Sequence, residues 1–94
     1  MPSSPTPAEH KKEVAANLRL ICAVIGGHQS DIAAAIGVSK SKLGNWLRGD
    51  NYPDPFAMWL LCERYGVTMD WIYRGRLFGL PSHLADGLKA KAEA

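Results

Sequence analysis

The sequence predicts an all-α domain of four or five short helices closed around one core, with a further short helix in the C-terminal tail. Three observations predict it. Apolar residues recur at three- and four-residue spacings, and no stretch alternates as a strand would. Glycines stand where each apolar run ends, and serine, threonine or aspartate stands ahead of most of the following runs. The chain has 94 residues, enough for one domain with a modest core.

Taken in order, residues 1–8 carry three prolines and two serines and read as a disordered arm. A first helix is expected from about Glu9, with Val14, Leu18, Ile21 and Ile25 on one apolar stripe, and Gly26 and Gly27 ending it. A second runs from about Gln29 to Ile36. Asp31 lies in its first turn, where a negative charge suits the helix dipole, and Gly37 follows as a stop. Ser39 is an N-cap for a third helix, Lys40 to Arg48, which Gly49 closes. After a loop, Asp54 and Pro55 open a fourth helix whose inner face holds Met58, Leu61, Cys62 and Tyr65. Thr68 caps a fifth, Met69 to Arg74, before Gly75. Residues 9–75 form the expected domain. In the 76–94 tail, Ser82 to Glu93 can form one more helix with Leu84 and Leu88 on one side.

Composition excludes several classes. No apolar run approaches the ~18 residues of a membrane span, and the N-terminus lacks a secretory core, so the expected location is cytoplasmic. Cys22 and Cys62 sit within apolar helical patterns and read as small buried hydrophobes of a reducing compartment. The three histidines show no zinc spacing, so no metal and no cofactor is expected. There is no nucleophile–base pair or phosphate loop, so an enzyme is not expected. Net charge is only +2. Its local distribution matters more: between Gln29 and Gly49, Lys40, Lys42 and Arg48 face the single Asp31.

The informative segment is Gln29 to Arg48, which reads helix, turn, helix. Ala33 is small where two helices approach, Gly37 supplies the bend, and Ile32, Ile36, Val38, Leu43 and Trp46 supply a shared core. On a helical wheel Ser41, Gly44, Asn45 and Arg48 fall within roughly 100° of one another, opposite Leu43, Trp46 and Leu47. The outer face is therefore polar, free of bulk at Gly44, and ends in a cation. A major groove admits such a helix.

Gln29, Ile32-Ala33, Ile36-Gly37-Val38-Ser39, Leu43 and Arg48-Gly49 together resemble the Xre family of helix-turn-helix regulators, the lambda-repressor-like group. Tyr65-Gly66-Val67-Thr68 and Asp70-Trp71-Ile72 resemble that family's junction between its fourth and fifth helices, so the likeness spans about Val14 to Gly75. The resemblance implies sequence-specific binding to double-stranded DNA and transcription control, by a homodimer on a near-palindromic operator. It places Lys40, Ser41, Lys42 and Asn45 at base-reading positions, where lysine donates to guanine and asparagine pairs with adenine. Gln29 resembles the family's phosphate clamp, and Ser39, Arg48 and Asn51 join the phosphate set. The same lysines also fit ordinary solvated positions, and Trp46, Trp59 and Trp71 fit packing better than base stacking.

The chain departs from the family at Cys22, where arginine is frequent, at Gly27, where a core leucine is usual, and at Asp50, which repels phosphate in a loop often basic. Apolar residues exceed one small core. Trp59, Leu60, Ile72, Tyr73, Leu77 and Phe78 are the candidate dimer surface, with Leu20 and Val24 as a competing patch. Alternatively the tail folds back over these residues and leaves a monomer. The second function class is a protein-interaction module on the same fold, an antiactivator or accessory factor.

Overall fold

The computed structural model describes residues 4–93 and is all-helical over them. Six helices follow in order: α1 Pro7–Ile25, α2 Gln29–Ala35, α3 Lys40–Arg48, α4 Pro55–Tyr65, α5 Met69–Arg74 and α6 Ser82–Glu93.

α1 begins two residues earlier than expected, because Thr6 and Glu9 build a reciprocal cap. The Glu9 N–H donates to Thr6 Oγ1 at 3.2 Å, and the Thr6 N–H donates to Glu9 Oε1 at 2.9 Å. These bonds hold the Glu9 carboxyl below its usual range. Of the arm expected over 1–8, residues 7 and 8 are therefore helical, and residues 1–3 lie outside the described part.

The bend between α2 and α3 turns on Gly37, whose φ of 72° is left-handed. Ser39 Oγ then accepts the Lys42 N–H at 3.0 Å and starts α3. Gly49 ends α3 with φ 81°, and a Cβ there would also stand 3.4 Å from the Lys12 backbone of α1. Asp54 takes the N-cap position of α4 with no side-chain cap bond, contrary to the capping role expected of it. Its carboxylate is drawn to Lys42 instead.

α1 is the central strut and packs on α3, α5 and α6. Leu18, Ile21, Met58 and Ile72 are wholly buried, with Leu43, Trp46, Leu61, Leu84 and Leu88 in the same cluster. Truncating one such leucine to alanine costs about 2–5 kcal/mol. α6 lies back along α1, where Leu84 and Leu88 enter the core and Gly87 lets Val24 approach. Leu20 and Val24 are thereby partly covered. Polar ties lock the strut: the Trp71 indole N–H donates to the Asn17 carbonyl at 3.0 Å, and Asn17 Nδ2 donates to the Ile72 carbonyl at 3.1 Å. His10 joins three elements, with Nδ1 2.9 Å from Tyr52 Oη and Nε2 2.8 Å from the Tyr73 carbonyl. No helix among the described residues is long and apolar enough to cross a membrane.

Candidate nucleic-acid interface

α3 is amphipathic in three dimensions as on the wheel. Leu43 and Trp46 are buried beneath it, while Lys40, Ser41, Lys42 and Arg48 are exposed above. One groove of about 520 Å³ runs between the start of α2 and the outer face of α3. Gln29, Lys40, Ser41, Gly44, Asn45 and Arg48 line it. Gly44 makes the convergence possible: a Cβ there would stand 3.3 Å from Arg48 Nη1 and 3.7 Å from Gln29 Nε2. The groove collects five of the eight residues expected to touch DNA, and each carries a hydrogen-bonding group suited to base edges or phosphate.

The other three lie elsewhere. Lys42 turns away toward α4, with Nζ 2.6 Å from Asp54 Oδ2 and 5.8 Å from the Trp46 ring centroid. Ser39 is occupied as the cap of α3. Asn51 is exposed in the loop that follows and does not line the groove.

Two acids restrain the cations of this face. Arg48 Nε donates to Asp50 Oδ2 at 3.2 Å, while Nη2 donates to Asn45 Oδ1. A fork thus ties a candidate phosphate contact to a candidate base reader. The Lys42–Asp54 pair does the same for a second cation. All four pair-forming side chains are at least half exposed, so each pair is weak and easily exchanged for another partner. Sequence reasoning missed Asp54 as a partner of Lys42, since the two lie twelve residues apart and only the folded chain brings them together. It also missed Arg19, whose Nη1 donates to the Leu47 carbonyl. That bond satisfies a backbone acceptor in the last turn of α3 and pins the helix to α1. Arg19 is the only cation in the second half of α1, and that isolation was the available signal.

The candidate dimer surface divides. Trp59, 49% exposed, stacks at 5.9 Å and 9° on Phe56, a residue of α4 outside the expected set that is 69% exposed. Phe78 is 88% exposed, and Leu77 is partly so. Leu60 and Tyr73 are half-buried against the core. Ile72 does not belong to any surface: its exposure is 0%, because α5 turns it under α1 and α4. Trp46 and Trp71 pack in the core. Cys22 and Cys62 are unpaired and half-buried, and burial raises both thiol pKa values, Cys22 to about 11.

These elements, two short helices meeting at a glycine bend with a polar outer face, define a helix-turn-helix protein. A family model described as helix-turn-helix matches residues 25–72, and the chain belongs to that family, of the Xre and lambda-repressor-like kind. It is a DNA-binding regulator in class, and this family is one of regulators rather than enzymes. No curated protein matches the chain, and no solved structure matches it.

Proposed function

We propose that the chain is a cytoplasmic, sequence-specific transcriptional regulator of bacterial or phage type that inserts α3 into the major groove of an operator. The observation that carries this reading is the groove in which Gln29, Lys40, Ser41, Asn45 and Arg48 converge around Gly44. Lys40, Ser41 and Asn45 read bases. Gln29 and Arg48 hold phosphates, with Ser39 and Asn51 at the edge of the footprint. Lys42 reads bases only after leaving Asp54, and that exchange is cheap for an exposed pair. Residues 9–75 form the DNA-binding unit, and the 76–94 tail buttresses α1.

One recognition helix covers only a few base pairs, and each mismatch is worth roughly 1–3 kcal/mol, too little to single out an operator among ~10⁶ sites. Two copies on half-sites about one helical turn apart double the readout. The stacked Phe56 and Trp59, with Leu77 and Phe78, supply the apolar surface for that pairing, and Leu60 and Tyr73 sit behind it.

A second reading, a protein-interaction module, is favoured by two observations. Two of the three α3 cations are already paired with acids, and the Phe56–Trp59 stack faces outward. Selection from a randomised duplex pool separates the two. DNA reading predicts one enriched motif, with Asn45→Ala relaxing preference at one position and weakening the site by about 1–3 kcal/mol. No enrichment contradicts it.

A further inference from the structure

A second depression adjoins the reading face and shares three lining residues with it. It is a cleft of about 420 Å³ where α1, α2 and α3 meet, within the size range of small-molecule sites. Its floor is apolar, formed by Cys22, Ile32 and Leu47. Its rim is cationic and polar, formed by Arg19, Arg48 and Gln29. Gly27 and Gly44 leave the space open, because neither sends a side chain into it. The Cys22 thiol stays protonated at neutral pH, so the floor carries no charge. No carboxylate lines the cleft. Asp31 Oδ2 accepts the His28 N–H at 3.4 Å and stands 4.0 Å from where a Gly27 Cβ would lie, so this carboxylate is at the Gly27 edge of the lining.

We infer that this cleft binds a small organic anion, a carboxylate carried on a compact apolar body. Floor and rim together select it. A bare phosphate matches the arginines but leaves the apolar floor uncovered, and a neutral apolar molecule makes no use of the guanidinium donors that remain free. Each guanidinium has five N–H donors. Arg19 spends one on the Leu47 carbonyl, and Arg48 spends two on Asn45 and Asp50. Both retain donors for a carboxylate.

The site has a regulatory consequence, which rests on the DNA reading proposed above. Gln29, Gly44 and Arg48 belong to both the cleft and the reading groove. An anion drawn between Arg19 and Arg48 engages the same arginine that would hold a phosphate. Ligand and DNA then compete, and by linkage each lowers the affinity for the other by the same factor.

The test uses the free protein first. Benzoate is titrated into ¹⁵N-labelled full chain, with benzamide and inorganic phosphate as separate probes. Benzoate is expected to give saturable shifts at the amides of Gly27, Gln29 and Gly44, with a dissociation constant of roughly 1–10 mM, as suits a ligand of nine heavy atoms. Cys22→Leu, which fills the floor, and Arg19→Gln, an exposed rim change, should each weaken binding roughly tenfold. The two changes perturb the fold in different places, and amide spectra report whether each variant is folded. Absent saturation overturns the site, as does phosphate or benzamide binding as well as benzoate, or folded variants that both bind benzoate normally. In a second arm, benzoate replaces chloride at constant ionic strength while binding to a random duplex is followed. Wild type should lose affinity, and Cys22→Leu should lose markedly less at the same benzoate concentration. Unchanged affinity in wild type overturns the competition. A chain that binds no DNA at all overturns the DNA reading, while the titration still decides the cleft.

Discussion

Asp50→Asn should strengthen DNA binding, and the structure sets the size of the effect. Asp50 accepts a hydrogen bond from Arg48 Nε at 3.2 Å, with side chains 62% and 55% exposed for Arg48 and Asp50. A pair this open contributes little to the fold, and its loss should change stability by about 0.5 kcal/mol or less. On DNA the same carboxylate stands beside the phosphate that Arg48 would hold. One repulsion at roughly 7 Å in a water-like dielectric is about 0.6 kcal/mol before salt screening. Freeing the Arg48 fork adds a few tenths more. The sum is about 1 kcal/mol, or roughly fivefold tighter binding to a random duplex at low salt. Arg48→Ala should act oppositely, weakening binding to specific and random DNA alike and flattening the logarithmic salt slope by about 0.9. Fluorescence anisotropy across a salt series measures both quantities. If Asp50→Asn leaves affinity unchanged while Arg48→Ala weakens it, Asp50 does not restrain the phosphate contact and the argument from the fork fails.

Other outcomes follow from the same geometry. Sedimentation should show self-association that Trp59→Ser and Phe56→Ser both reduce, and a strict monomer at high micromolar concentration, free and on single-site DNA, sinks the dimer. Gly87→Ala should destabilise the fold by about 1–2 kcal/mol, because the new Cβ would stand 2.6 Å from Val24 Cγ1 and overpacking there exceeds the helix-propensity gain. Urea unfolding checks it, and a stabilised variant would mean that α6 does not dock against α1.

The helices were legible because their ends are written in local chemistry. Ser39 and Thr68 accept the N–H groups of Lys42 and Trp71, and left-handed Gly49, Gly66 and Gly75 close the helices that precede them. Local chemistry also explains the early start of α1, since Thr6 and Glu9 form a capping box that the proline-rich composition of the arm obscured. The polar face of α3 was legible from its period alone. What sequence could not show is what depends on angles between helices. Only the family resemblance gave Lys42 a base-reading role, since it lies outside the arc of Ser41, Gly44, Asn45 and Arg48 on the wheel, and the fold brings Asp54, twelve residues on, to its ammonium group. Ile72 sits in a six-residue helix, too short for a period to say which side faces inward, and it proved wholly buried. The cleft beside α3 needs three helices to exist, and its emptiest walls are glycines, which leave no positive signal in a pattern of side chains.

In the proposed function the outer face of α3, with Gln29, is the surface that meets DNA. Titration of ¹⁵N-labelled protein with a selected duplex, at one stated salt concentration, tests it most directly. The largest amide and side-chain shifts should map to Gln29, Lys40, Ser41, Gly44, Asn45 and Arg48, and Asp54 should release Lys42 as they appear. Shifts centred instead on Phe56 and Trp59, with the α3 face undisturbed, would contradict it.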